Sequence, residues 1–585
     1  MIKLLKYFTK KDVLYILISI LLIIFQVYLE LKMPDYMSEI TKLVQSEGSS
    51  FNDIILNGFY MLLCALGSLI SAIFTGYFIS NAAASFSYNV RKNLFTKVEN
   101  LSLDETKKFS TSSLITRTTN DITQIQMLIA MGLQLMIKSP ITAIWAVTKI
   151  LNKSFEWSVL TGLAVIILLT TIIILLFIVV PRFKLIQKLT DKVNGITREN
   201  LTGIRVVRAF NAEKYQEEKF EKNNDLLTNT QMFNQKAFAV MQPIMYLVLY
   251  FLTLSIYLVG AKLIQDAMMI DKITIFSDMV VFSSYAMLVI ISFLLLAVIF
   301  MMLPRAQVSA ARINEVLDLD ESIKDGSGAN KKEQGTVEFV DVSFKYPDAE
   351  DYLLDNISFK VNKGETVAFI GSTGSGKSTL INLIPRFYDV SKGKVLVDGV
   401  DVKEFKEEEL HNIIGYVPQK AFVFEGTIKS NIRFGENGKK EITEDQINKS
   451  LEIAQALEFV NKMDKKTDSH IAQGGTNISG GQKQRLSIAR AIARDPEIYI
   501  FDDTFSALDY KTDYKLRSQL KKHTKDATVL IVAQRIGTIM NADKIIVLDN
   551  GKCVGMGTHK ELMKNCSVYK EIALSQLSKE ELQDE

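Results

Sequence analysis

The sequence predicts a multi-domain membrane protein: an all-α region of six membrane-spanning helices, then a soluble α/β domain with a largely parallel sheet. Three observations carry this. Six long apolar segments all lie before about residue 305. No segment of that length follows residue 336. There, short β-rich runs (TVAFIG, KVLVDG, EIYIFDD, TVLIVAQ, KIIVLDNG) alternate with helical stretches, the pattern of parallel strands joined through helices.

Size and composition agree with two parts. A chain of 585 residues exceeds what one hydrophobic core supports. Hydrophobic residues make up 48%, with 33 Phe, which is high for a wholly soluble protein. The net charge of +3 is nearly balanced, so no nucleic-acid partner is expected. Cys64, Cys553 and Cys566 lie far apart with no CxxC spacing, and fit small buried hydrophobes in a reducing compartment.

The apolar cores span 13–29, 60–79, 129–147, 157–180, 244–260 and 279–303. Crossing a bilayer takes roughly 20 apolar residues, and these segments are near or above that. The basic leader MIKLLKYFTKK precedes a long apolar run with no small-residue cleavage site, so an uncleaved anchor is expected. Lys3, Lys6, Lys10 and Lys11 precede the first span, and the loop after it has a single Lys. Arg91, Lys92, Lys97, Lys107, Lys108 and Arg117 lie between spans two and three, and Arg182, Lys184, Lys188, Lys192, Arg198, Arg205 and Arg208 between spans four and five. By the positive-inside rule both termini face the cytoplasm.

Those two basic segments lack Pro and Gly clusters and read as helices running on into the cytosol. Within the second, ENLTGIRVVRAFNAE (199–213) interleaves basic and apolar residues and reads as a foot for the soluble domain. The transmembrane domain is expected over 1–317, a charged, Gly-rich linker over 318–335, and the soluble domain over 336–585.

Strand, Gly-rich loop and helix follow one another in ETVAFIGSTGSGKSTLINLI. Gly371, Ser372, Thr373, Gly374, Ser375, Gly376, Lys377, Ser378 and Thr379 fit GxxxxGK[ST], the phosphate-binding loop. Small residues let successive N–H groups face phosphate oxygens. Lys377 is placed to reach the β- and γ-phosphates of ATP, and Ser378 to hold Mg2+. Further on, Ile478-Ser479-Gly480-Gly481-Gln482 runs into KQRLSIARAIARDPEIYIFDD. Ser and two Gly at a helix start form a second anion-seeking surface.

With both motifs present, nearly the whole chain resembles the ABC transporter family, exporter type, with six spans fused to one nucleotide-binding domain. The resemblance implies that ATP sits between this P-loop and a partner's signature, while Ser479, Gly480, Gly481 and Gln482 cap the partner's ATP. Tyr346 in VSFKYP looks like the aromatic on which adenine stacks. Gln419 in GYVPQ resembles the glutamine that contacts Mg2+, and Asp502 the Walker B carboxylate. Asp509 in SALD resembles the loop that touches the opposite nucleotide domain. FSTSSLITRTTNDI resembles the first intracellular loop, with Ser112 where a Gly is usual.

Three further departures bear on function. The family usually has Glu where Asp503 stands, and a γ-phosphate-contacting His where Gln534 stands. Asp is one methylene short of the attacking water, and a misplacement of about 1 Å can cost on the order of 10²-fold in rate. Gln cannot carry positive charge or exchange a proton. Gln473 sits where the family often has a Glu. The resemblance therefore implies a chain that binds ATP well and hydrolyses it poorly at its own site. It would be the degenerate half of a heterodimeric multidrug exporter, paired in the lipid bilayer of the cell membrane with a different half-transporter that carries Glu and His. Two alternatives stay open: a homodimeric exporter of lipid or peptide, and an ATP-gated regulatory membrane protein. For the small-molecule substrate the sequence offers Tyr246, Tyr250 and Tyr257 at helical spacing in span five, and Lys138 near mid-membrane in span three, where a charge faces water or a partner.

Overall fold

The chain, described from a computed structural model, is placed over residues 1–576 apart from 47–48, 152–154, 269–270, 329 and 436–440. Residue 329 of the expected linker thus lies outside the described residues. Two compact units form. One comprises Met1–Asn100 with Phe109–Asp320, the other Leu101–Lys108 with Glu321–Glu585.

In the first unit, six helices among the described residues are long and apolar enough to cross a membrane: Lys10–Gln45, Phe51–Glu99, Thr111–Leu151, Phe155–Thr202, Glu213–Asp266 and Asp271–Leu296. The 49 residues of Phe51–Glu99 would reach roughly 70 Å at about 1.5 Å per residue. That is more than twice the hydrocarbon thickness of about 30 Å, so the polar half of such a helix runs on beyond the apolar layer. Thr9 starts the first helix with a reciprocal capping box to Asp12, which satisfies two otherwise orphaned donors. The core of this unit gathers Ile23, Val27 and Leu31 from the first helix against Trp157, Phe282 and Tyr285.

Two ion pairs cross from the first span to the third. Lys138 Nζ lies 2.8 Å from Glu30 Oε1, and Lys149 Nζ 2.8 Å from Asp35 Oδ2. Gln26 and Ser68 also donate to Glu30 Oε1, at 2.9 and 3.2 Å, and Tyr285 Oη donates to Asp35 Oδ1 at 2.6 Å. Lys138 thus has a carboxylate partner that its surroundings in the sequence do not reveal. Lys138→Met is expected to destabilise the unit by about 1–2 kcal/mol, less than the loss of a fully buried pair, because it removes the counter-charge of half-buried Glu30 while Gln26 and Ser68 still donate to it. Adding Glu30→Gln should recover most of the loss, since no half-buried charge is then left alone. Thermal melting of the detergent-solubilised protein checks both. A single substitution as stable as the parent would mean that the pair holds nothing.

The second unit is built on a six-stranded sheet in the order Lys552–Gly557, Lys544–Asp549, Thr366–Gly371, Thr528–Val532, Ile498–Asp502, Ile414–Val417. All neighbours are parallel except the antiparallel edge strand Lys552–Gly557. Both faces are covered: Ala368, Ile370 and Phe501 point into one core, Val367, Phe369 and Ile500 into another. Burial on both sides explains why these strands read as unbroken apolar runs. A separate antiparallel sheet orders Leu354–Val361, Val337–Phe344, Lys392–Val397 and Val400–Asp401.

Candidate functional site

Register brings the site together. Val532 pairs with both Phe369 and Asp502, and Val417 with Phe501. The carboxyl ends of four parallel strands therefore lie side by side, and the residues just past them (371–379, 419, 503 and 534) share one edge. In open α/β sheets that edge is where ligands bind. Asp503 N donates to Val532 O at 3.0 Å and Ala533 N to Phe369 O at 3.2 Å, which pins the turns that carry Asp503 and Gln534.

The loop needs glycine at two points for different reasons. A Cβ on Gly371 would stand 2.0 Å from Leu548 O, so the backbones approach too closely for any side chain. Gly376 caps the helix Lys377–Asn382 with φ +91°, a left-handed conformation that glycine adopts without strain. Lys377 folds back across this loop. Its Nζ donates to Gly371 O at 2.9 Å, Ser372 O at 2.7 Å and Ser375 Oγ at 3.3 Å, which uses all three ammonium donors. Burial pushes its pKa down, while Asp503 and Asp502 pull it back up. It is a buried cation held by neutral acceptors, which phosphate oxygens can replace. Of the other loop residues, Ser372, Thr373 and Gly374 are exposed, and Ser375 is buried.

Beside the loop, Ser378 Oγ donates to Asp502 Oδ1 at 2.8 Å. Burial raises the Asp502 pKa, against the lowering effect of Ser378. Hydroxyl and carboxylate oxygens in contact, with the Gln419 amide nearby on Asp503, make the hard-oxygen donor set that Mg2+ takes. There the ion would supply positive charge to the phosphate oxygens, with Ser378, Asp502 and Gln419 as its holders. Thr379 Oγ1 and Tyr346 Oη are 3.0 Å apart, which ties the candidate base-stacking ring to the phosphate loop.

The two departures meet. Gln534 Nε2 donates to Asp503 Oδ2 at 3.0 Å, and Gln419 Nε2 donates to the same oxygen at 3.2 Å. Asp503 is itself in the left-handed region, with φ +43° and ψ +31°, which Asp tolerates better than most side chains. Asp503, Val532 and Gln534 line a recess of about 10 Å³, roughly the space of one water.

The remaining candidates stand outside this network. Ser479 caps Gly480–Ala493 in a capping box with Gln482: Gln482 N donates to Ser479 Oγ at 3.3 Å and Ser479 N to Gln482 Oε1 at 2.8 Å. Gly480 has open space where a Cβ would be, and a Cβ on Gly481 would lie 3.5 Å from Ala507 O. Asp509 caps Tyr510–His523, and the hydrogen bonds from Thr512 hold its carboxyl pKa low. Gln473 begins the turn Gln473–Gly475. Sequence patterns do not point to Leu101–Lys108, which folds with the soluble unit. Its one legible signal is SLDE, a capping box at Ser102 and Glu105.

Comparison with known proteins agrees with this geometry. Residues 354–506 match the ABC transporter family, and residues 16–294 match the ABC transporter transmembrane region. An uncharacterised ABC transporter ATP-binding protein of Mycobacterium tuberculosis is 37% identical over 520 residues, 88% of this chain and 87% of that one. A putative multidrug export ATP-binding/permease protein of Staphylococcus aureus is 34% identical over 495 residues, 83% of each. A bacterial Atm1-family ABC exporter solved with ATP bound superposes with a TM-score of 0.84 at 22% identity, covering 97% of this chain and 99% of that one.

Proposed function

This chain belongs to the ABC transporter family as an exporter-type half-transporter that binds ATP with Mg2+ and hydrolyses it, and from that premise we propose that it is the degenerate half of a heterodimeric exporter. The observation that carries the reading is the hydrogen bonding of Asp503. One carboxylate oxygen accepts from the amides of both Gln419 and Gln534. A carboxylate offers about four lone-pair sites over its two oxygens, and the two amides take those of Oδ2, which ties the group towards Gln419 and Gln534 and leaves only Oδ1 for a water. The shorter side chain adds distance to the same handicap. Gln534 supplies an amide dipole at the γ-phosphate position, without charge or proton exchange. The P-loop, Ser378 and Asp502 keep the residue types that hold nucleotide and metal. Binding is thus retained at this site while turnover is slowed.

The partner is a second, non-identical half-transporter with Glu and His at these positions, whose ATP is capped by Ser479, Gly480, Gly481 and Gln482 of this chain. The pair sits in the cell membrane with termini and nucleotide domains in the cytoplasm, a reading supported by the Lys and Arg asymmetry of the loops. Its cargo is hydrophobic or amphipathic compounds, drugs among them. Support comes from the names of relatives such as the putative multidrug export protein of S. aureus, and from the exposed, stacked rings of Tyr246 and Tyr250, 6.1 Å apart.

ATPase rates of the purified chain alone and reconstituted with its natural partner test the proposal. A slow chain that becomes fast only in the mixed complex is the expected result. Fast turnover by the chain alone would make it a homodimeric exporter. Slow turnover in both would favour an ATP-gated regulator.

A further inference from the structure

Lys107 belongs to none of the motifs, yet it stands at the candidate base site. It closes the short helix Leu103–Lys107, on the segment that folds with the nucleotide-binding unit although spans two and three flank it in the chain. That segment is firmly held. Glu105 is buried and accepts from Ser102 N at 2.9 Å and Ser322 N at 2.7 Å. Leu101 is buried as well. With its backbone fixed this way, Lys107 is delivered to one place.

That place is an aromatic corner. Tyr346 and Tyr388 stand at 89° with ring centroids 5.4 Å apart, and Phe344 meets Tyr346 at 81° and 5.0 Å. Lys107 Nζ lies 5.1 Å from the Tyr346 centroid and 5.2 Å from that of Tyr388. It donates to Tyr388 Oη at 3.0 Å, and that hydrogen bond raises its pKa, so the ammonium stays charged. Asp104 is the nearest carboxylate, 3.7 Å away. Tyr346 is thus fixed at its hydroxyl by Thr379, by two rings set nearly perpendicular to it, and by a cation within about 6 Å, the range of a cation–π contact.

We propose that Lys107 is a positioning residue of the nucleotide site, holding the Tyr346 ring in the plane on which a purine base stacks and so setting affinity for the base but not for the phosphates. The inference rests on Tyr346 being the base-stacking residue. Its contribution is a preset ring, which spares the base the ordering cost of binding.

The test measures binding of ATP, and of inorganic tripolyphosphate as a base-free competitor, to the full-length chain. Lys107→Ala is expected to weaken ATP binding by about 3- to 10-fold, the worth of a partly exposed cation–π contact, and to leave tripolyphosphate unchanged. Lys107→Arg should restore most of the loss, because a guanidinium also sits well on aromatic faces. Tyr346→Ala should weaken ATP binding, and adding Lys107→Ala to it should cost nothing more. If Tyr346→Ala weakens ATP binding and Lys107→Ala does not, the Lys107 inference falls while the base site stands. No effect of Tyr346→Ala on ATP overturns both. Equal losses for ATP and tripolyphosphate in Lys107→Ala would make Lys107 a general electrostatic or folding contact and overturn the inference. Lys107→Met, which keeps the aliphatic stem, takes the place of the alanine variant should that one not fold, and the same outcomes apply to it.

Discussion

Lys377→Ala is expected to lose ATP binding at this chain's own pocket, by roughly 100-fold or more. The ammonium makes three hydrogen bonds within its own loop, to Gly371 O, Ser372 O and Ser375 Oγ. If Gly371–Thr379 is the phosphate site, these donors would turn to phosphate oxygens on ATP binding, and charge-assisted hydrogen bonds are worth about 1.5–3 kcal/mol each. Losing two of them accounts for the expected factor, at about 1.4 kcal/mol per tenfold. Titrating the purified full-length chain with a fluorescent ATP analogue measures the change. A melting temperature near that of the parent shows that the loop still folds. Unchanged affinity would remove Gly371–Thr379 as the phosphate site.

The strand–loop–helix around Gly371–Lys377 was legible from sequence because its signals are local: an apolar run, small residues, then a helical stretch. Asp503 and Gln534 were legible one by one, each as a departure from the family pattern. Their contact was not, because it follows from the parallel register that sets Val532 beside Asp502. The six spans were legible because bilayer thickness fixes a length that composition reveals directly. Glu30 as the partner of Lys138 was not, since the two residues lie 108 positions apart on different helices. Lys107 is the extreme case. It lies 281 positions from Tyr388, within a stretch that reads only as basic, and it reaches the aromatic corner through the packing of Glu105 and Leu101. Local propensity says that Ser102 starts a helix. It says nothing of which domain that helix joins.

If the chain works in the proposed heterodimer, two substitutions in it are expected to have opposite outcomes for the ATPase of the complex. Asp503 lies at the edge that carries the P-loop, already bonded to two amides, so Asp503→Ala should remove little of the complex's ATPase. Ser479 heads another helix, exposed, with capping partners that are all local. Ser479→Phe should nevertheless lower the rate of the complex by on the order of 10²-fold, because the added ring pushes the partner's γ-phosphate out of alignment. Loss of the cap alone costs only about 1 kcal/mol of stability, which a melting curve separates from loss of rate. Asp503→Glu should raise turnover only modestly: Gln534 stays in place, and the left-handed backbone at this position suits Asp better than Glu. Steady-state ATPase of the three reconstituted complexes distinguishes these outcomes. Arrest by Asp503→Ala together with near-normal activity of Ser479→Phe would make Asp503 a working base and end the degenerate-site reading.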